Sequence, residues 1–149
     1  MRFAAVVELL PGVLDAQLMH DQNLTHFDYF TLAMLSEAPD RTLRMTTLAA
    51  RTNATLPRLS RVASRLEDEG YVRRAPCRED RRATNVTLTA AGWRKVVRAA
   101  PGHVSTVREH VIDPLTPAQI SQLSRICERL LARLDPTGRM FSPAEEPET

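Results

Sequence analysis

The chain is short of the features that would announce an enzyme, a secreted scaffold or a membrane protein. Its 149 residues hold two cysteines, Cys77 and Cys127, far apart and in no metal-like spacing. That excludes a disulfide scaffold and suits a reducing cytosol, so a cytoplasmic location is expected. Five glycines exclude collagen, and 43% hydrophobic with 26% charged residues exclude wholesale disorder. There is no nucleophile–base pair, no pair of carboxylates in a glycine-marked pocket, no phosphate loop and no zinc spacing. No enzyme, cofactor or resident metal is therefore expected. No apolar run reaches the roughly 18 residues that a membrane span needs. Phe3–Leu10 is broken by Glu8 and lacks a small-residue cleavage site, so a signal peptide is not expected either. At roughly 100–200 residues per domain, the length allows one compact domain, with or without a helical appendage.

What is present is charge, unevenly placed. The net charge is only +2, yet Arg41 to Arg98 carry 14 basic residues (13 Arg and Lys95) against five acidic ones, +9 in 58 residues. The other 91 residues carry 6 basic and 13 acidic groups, or −7. A basic centre between acidic ends points to a polyanion bound by the middle of the chain.

Apolar spacing predicts a first helix over about residues 3–20, from Phe3, Val6, Val7, Leu10, Leu14 and Leu18. Pro11-Gly12 predicts a kink or a late start in it. Thr25 is a good N-cap for a second helix that ends before Pro39. After Thr42-Leu43-Arg44, Thr46 is expected to cap a small helix ending at the polar turn Thr52-Asn53-Ala54. Thr55–Glu69 is the most informative segment. At about 100° per residue, Leu56, Leu59, Val62, Ala63 and Leu66 form one face, and Arg58, Arg61 and Arg65 fall within about 60° of one another on the other side. Pro57 is tolerated in the first turn, and Gly70 sits where a left-handed cap is wanted.

Past Gly70 the period shortens. Tyr71–Ala75 and Thr84–Leu88 read as a β-hairpin whose long, charged tip spans Pro76 to Ala83. Thr89 caps a long helix to about Val111, with a bend expected at Pro101-Gly102. Thr116-Pro117-Ala118-Gln119 opens the last helix, whose apolar face is Ile120, Leu123, Ile126, Leu130 and Leu134. Residues 136–149, broken by three prolines, read as a disordered tail.

Helix, tight turn, arginine-faced helix and charged hairpin, in that order, make a winged helix-turn-helix. The expected fold is thus mainly α with a small β-hairpin wing. A helix about 10–12 Å wide fits the major groove of duplex DNA, arginine can bond guanine twice, and a hairpin tip reaches the neighbouring minor groove.

The sequence also resembles the MarR-type bacterial transcriptional regulators. The resemblance rests on Leu24-Thr25 and Phe27, on Leu48-Ala49, on Ser60-Arg61 and on the run from Arg65 to Arg74. It is strongest from Asp80 to Gly92, where an Asp-x-Arg is followed by Leu-Thr-x-x-Gly, and it spans about residues 20–134. It implies an intertwined homodimer. Residues 1–24 and 101–135 would form the helical dimerisation region, and residues 25–100 the winged DNA-binding unit. Two such units would face a pseudo-palindromic operator.

Carried over residue by residue, Arg61 resembles the family's base-reading arginine, with Thr55, Pro57, Arg58 and Ser60 on the same groove-facing half. Arg65, one turn on, is assigned to phosphate, as are Thr46 and Thr47 at the start of the preceding helix, and Arg44 joins the DNA-binding residues. In the wing, Arg82 resembles a minor-groove arginine and Asp80 the carboxylate that orients the loop, while Arg78 and Arg81 add backbone charge. Phe27, Phe30 and Trp93 read as core residues. The resemblance offers a second role for them, as the lining of a pocket for a small aromatic acid that releases the DNA.

The remaining candidates are weaker. Cys77 is either a structural residue at the wing's shoulder or a thiol activated by its arginine neighbours. Cys127 reads as a small core residue. His103 and His110, seven apart, would need His20 or His26 to hold a metal, and packing or surface histidines are the simpler reading. Together these observations predict a DNA-binding repressor, with a winged protein-interaction module as the alternative.

Overall fold

The computed structural model describes residues 1–140. Six helices and three strands follow one another: α1 (Arg2–Gln22), α2 (His26–Ser36), β1 (Thr42–Arg44), α3 (Met45–Arg51), α4 (Leu56–Asp68), β2 (Val72–Pro76), β3 (Thr84–Leu88), α5 (Ala90–Val107) and α6 (Pro117–Leu134). The sheet is antiparallel in the order β1-β3-β2, with Leu43 opposite Val86 and Arg74 opposite Val86 on the other side. The fold is mainly helical with a small sheet, as the pattern of periods implied.

Local chemistry sets most boundaries. Thr25 and Asp28 form a reciprocal capping box at the start of α2. Asn23 ends α1 in the left-handed conformation, with φ 52°. Gly70 does the same after α4 at φ 78°, where glycine avoids the Cβ penalty. Thr116 and Gln119 form a second capping box on α6.

Three expectations about the helices need correction. Neither proline pair interrupts its helix. Residues 7 and 11 are both exposed, so water can satisfy the Val7 carbonyl that Pro11 leaves unbonded. In α5 the irregularity falls later, as a wider π turn over Arg108–Ile112. Thr46 is not a cap: Arg44 occupies that position and no side chain bonds the first turn of α3. Leu56 does not join the buried face of α4, being 46% exposed.

The core lies inside the winged unit and beneath it. Leu18, Leu24, Leu32, Leu35, Leu48, Leu59, Leu66 and Val86 are completely buried and bring α1, α2, α3, α4 and the sheet onto one centre. The outer helices are different. No residue of α6 is buried, and α1 buries only Leu14 and Leu18. Phe3, Val6, Val7, Val104, Ile126 and Leu134 are all more than half exposed. Cys127, expected in a core, is exposed for the same reason. By length and composition alone α1 passes the test for a helix that could cross a membrane, a test that the core helix of a soluble protein also passes.

Residues 136–140 of the expected tail are described. Asp135 accepts the backbone N–H groups of Arg139 and Met140, which closes residues 136–140 into a turn. The rest of the expected tail, residues 141–149, lies outside the described residues.

Candidate nucleic-acid interface

Helix α4 begins where Thr55 accepts the N–H of Arg58, with Pro57 in the first turn. Leu59, Ala63 and Leu66 fix its inner face in the core. Its outer arginines then separate into two kinds. The Arg58 guanidinium lies 4.1 Å above the ring of Phe27. Arg65 makes a bidentate pair with Asp28, at 3.1 Å and 2.6 Å, and has Glu69 at 3.7 Å. The Asp28 hydrogen bonds push the Arg65 pKa further upward. The phosphate role expected for Arg65 therefore meets a guanidinium already committed to α2. Arg61 is exposed, and among the described residues nothing pairs with it.

The wing tip is shaped by backbone bonds. Cys77 N–H donates to Ala83 and Ala83 N–H to the Asp80 carbonyl. The Asp80 carboxylate accepts the Arg82 N–H at 3.0 Å. Arg78, Arg81 and Arg82 stand exposed around that turn. The Cys77 thiol is buried and donates to the Glu79 carboxylate at 2.8 Å, which lowers the Glu79 pKa. It is an interior group of the wing and not an open thiol.

Between α4 and the wing lies a cleft of about 420 Å³. It brings together Arg44, Thr46, Pro57, Ser60 and Arg82, all assigned to DNA from the sequence, with Met45, Leu56, Arg74, Ala83 and Thr84, which were not. Thr47 and Thr55 lie next to residues of the cleft without lining it. Arg74 is the informative omission. Its backbone N–H and Nε both donate to Glu67, at 2.7 Å and 2.8 Å, and its terminal nitrogen reaches Ser64 at 3.3 Å. These bonds lower the Glu67 pKa, the backbone one most, and they tie the base of the wing to the end of α4. The only sequence signal was an acid and a base seven residues apart across the Gly70 turn. The exposed apolar side chain of Leu56 also has its explanation here, since it forms part of the cleft wall.

Phe27, Phe30 and Trp93 each meet a different partner. Phe27 lies under Arg58, Phe30 stacks on His26 with ring centres 6.4 Å apart, and Arg41 covers Trp93 at 4.1 Å. His26 also stacks on His103, at 5.8 Å, and Tyr29 tilts against His103 at 4.6 Å. Burial lowers the pKa of both histidines, and His26 adds to the effect at His103. Among the described residues no group of three potential ligands is placed to hold a metal. His26 and His103 pack at the junction of α1, α2 and α5, while His20 and His110 are exposed.

This arrangement, an exposed arginine on a helix-turn-helix beside a cationic hairpin, defines a winged helix-turn-helix of the kind that meets nucleic acid. Comparison with known proteins makes that class specific. The model of the MarR family matches residues 22–83. The transcriptional repressor YetL of Bacillus subtilis is 30% identical over 112 residues, 73% of this chain and 67% of its own. The regulator PrsX of Escherichia coli is also 30% identical over 112 residues, 75% of this chain and 67% of its own. Among solved structures, Sco3205 of Streptomyces coelicolor, a MarR family regulator crystallised with DNA, superposes with a TM-score of 0.86 at 40% identity. The match covers 90% of this chain and 87% of that one. AbsC from the same organism gives 0.84 at 34% identity, over 89% of each chain. The chain belongs to the MarR family of transcriptional regulators.

Proposed function

We propose that this chain is a sequence-specific DNA-binding repressor that acts as a homodimer on a pseudo-palindromic operator and leaves it when a small molecule binds. The observation that carries the reading is the cleft between α4 and the wing, where Arg44, Thr46, Ser60 and Arg82 surround a space open to a sugar-phosphate backbone. Such groups hold a duplex in register while Arg61, projecting beside them, is free to bond a guanine edge in the major groove. The wing's Arg82 then enters the flanking minor groove, where a narrow width strengthens the negative potential. The DNA complex of Sco3205 and the name of YetL as a repressor agree with this.

The dimer rests on α1 and α6. Their apolar residues find too little cover within one chain, and a second copy related by a two-fold axis would supply it and also align two recognition helices one turn of DNA apart. That accounts for the apolarity of α1 without a membrane. Residues 1–24 and 101–135 are accordingly assigned to dimerisation and residues 25–100 to DNA, which places the work in the cytoplasm. For the effector, we assign the junction around Phe30 and His103 in place of a pocket shared by Phe27, Phe30 and Trp93. The Nδ1 of His103 and the Oε1 of Gln17 are both buried there without a partner among the described residues. A small aromatic acid bound between these helices would change the spacing of the two winged units, and operator binding demands one spacing.

Selection of bound sites from random duplexes, followed by an electrophoretic shift on the winning sequence, tests the reading. A two-fold-related consensus is expected. No enrichment at low salt would refute DNA reading and favour a protein-interaction module. A screen of aromatic acids against the bound operator then tests the effector.

A further inference from the structure

Successive residues in the first turn of α2 are fastened to different parts of the molecule. His26 gives its N–H to Asp15 of α1 at 2.8 Å and stacks on His103 of α5. Phe27 lies beneath Arg58 of α4, and Asp28 holds Arg65 of α4. Asp28 is 1% exposed, and one of its carboxylate oxygens also accepts the N–H of Thr25 at 3.0 Å. A carboxylate so enclosed, bonded at both oxygens by one planar guanidinium, fixes the direction of that side chain as well as its distance.

Arg58 and Arg65 are seven residues apart, so their anchors sit on one side of α4 about 10 Å apart along its axis. Two anchors at that separation constrain both the rotation of the helix about its axis and its tilt. Arg61 lies between them in sequence, about 40–60° around the helix, and it is the arginine of this face that has no partner among the described residues.

We propose that Asp28 and Arg65 are positioning residues for the recognition helix. Their bidentate pair sets the angle at which Arg61 and Ser60 meet base edges, and Arg65 does not itself neutralise a phosphate. This rests on the DNA reading above. If the wild-type chain selects no site, that reading fails. If it selects one, the variants below decide the inference.

The two roles for Arg65 predict opposite signs for one substitution. If Arg65 were a phosphate clamp, D28N would release it and tighten binding. If the pair positions the helix, D28N weakens operator binding by roughly ten- to a hundred-fold, the range set by a misaligned bidentate base contact. The experiment is fluorescence anisotropy of the full chain on the selected operator and on a scrambled duplex, across a salt series, at temperatures well below each variant's unfolding midpoint. D28N and R65Q should lose operator affinity while affinity for the scrambled duplex stays within about two-fold, and both should keep the wild-type salt slope. The double substitution D28N/R65Q should bind no worse than the weaker single variant, because the pair acts as a unit. R65K should not rescue, since an ammonium keeps the charge but not the fork.

General loss of stability would lower both affinities together and would not change their ratio. The proposal is overturned if D28N binds the operator as well as wild type or better. It is also overturned if R65Q reduces the salt slope by about one and R65K restores it. Should D28N alone fail to fold, the uncharged double variant and R65K carry the test, and wild-type operator selectivity in the double variant would refute the proposal.

Discussion

Replacing Gly92 with alanine should destabilise the protein, although alanine is the better helix former. Gly92 is the third residue of α5, whose N-cap is Thr89. A β-carbon added there would lie 2.1 Å from the Tyr71 carbonyl oxygen and 2.6 Å from Cδ1 of Leu88. The first contact is with backbone and cannot be relieved by a rotamer change. That carbonyl accepts the Thr89 N–H at 3.0 Å, while the Thr89 hydroxyl sits 2.7 Å from the Gly70 carbonyl and accepts the Gly92 N–H at 3.0 Å. Moving Tyr71 therefore loosens the cap as well. Overpacking costs roughly 1–3 kcal/mol and a lost cap about 1, against roughly 1 regained from helix propensity, a net loss of about 2 kcal/mol. For a chain of this size the thermal midpoint should fall by roughly 4–8 °C. The assay is urea and thermal unfolding at one fixed chain concentration, because the proposed dimerisation would make midpoints concentration-dependent. A variant as stable as wild type, or more stable, would show that helix propensity prevails and that the close approach of α5 to Tyr71 is not what demands glycine.

Arg61→Ala should cost about 1–3 kcal/mol on the operator and flatten base preference at one position of each half-site, whereas Arg82→Ala should weaken operator and competitor DNA together. Binding-site selection with each variant checks this, and the reverse pattern would mean that the grooves are misassigned. Deleting residues 1–18 should leave monomer or aggregate in sedimentation experiments, and a stable DNA-binding monomer would refute the dimer architecture. Folding lowers the pKa of His26 and His103 below the ordinary 6.5. The unfolded chain then binds more protons just below that pH, so their contribution is complete above about pH 6.5 and is lost as the pH falls. Urea midpoints at pH 7.5 and 5.5 should differ in that direction and differ less in His103→Asn. An unchanged acid loss in that variant would exonerate the histidine pair.

Much of the winged unit was legible because its signals are local. Thr25, Thr89 and Thr116 cap helices through bonds spanning three residues, and β3 buries the alternate residues Val86 and Leu88. The arginine face of α4 follows from a 3.6-residue period. The errors arose where a local signal was outweighed by its surroundings. Pro11 has the chemistry of a helix breaker, but on an exposed face its cost is one carbonyl left to water. Thr46 is a good cap in isolation, but the chain leaves β1 with Arg44 already in the capping conformation.

The sequence by itself determined the class of the protein: the order of elements, the basic centre and the Asp-x-Arg and Leu-Thr-x-x-Gly runs are properties of neighbouring residues and survive without coordinates. Only the tertiary structure decided what each arginine touches. Arg58, Arg61 and Arg65 are equivalent on a helical wheel, and they become different only when α2 brings Phe27 and Asp28 against two of them. Arg74 and Glu67 likewise form their tie only once the Gly70 turn folds β2 back along α4. The reason is geometric. A period reports which side of its own helix a residue occupies, whereas a partner is set by the packing of another element, here one 37 residues away for the Asp28–Arg65 pair.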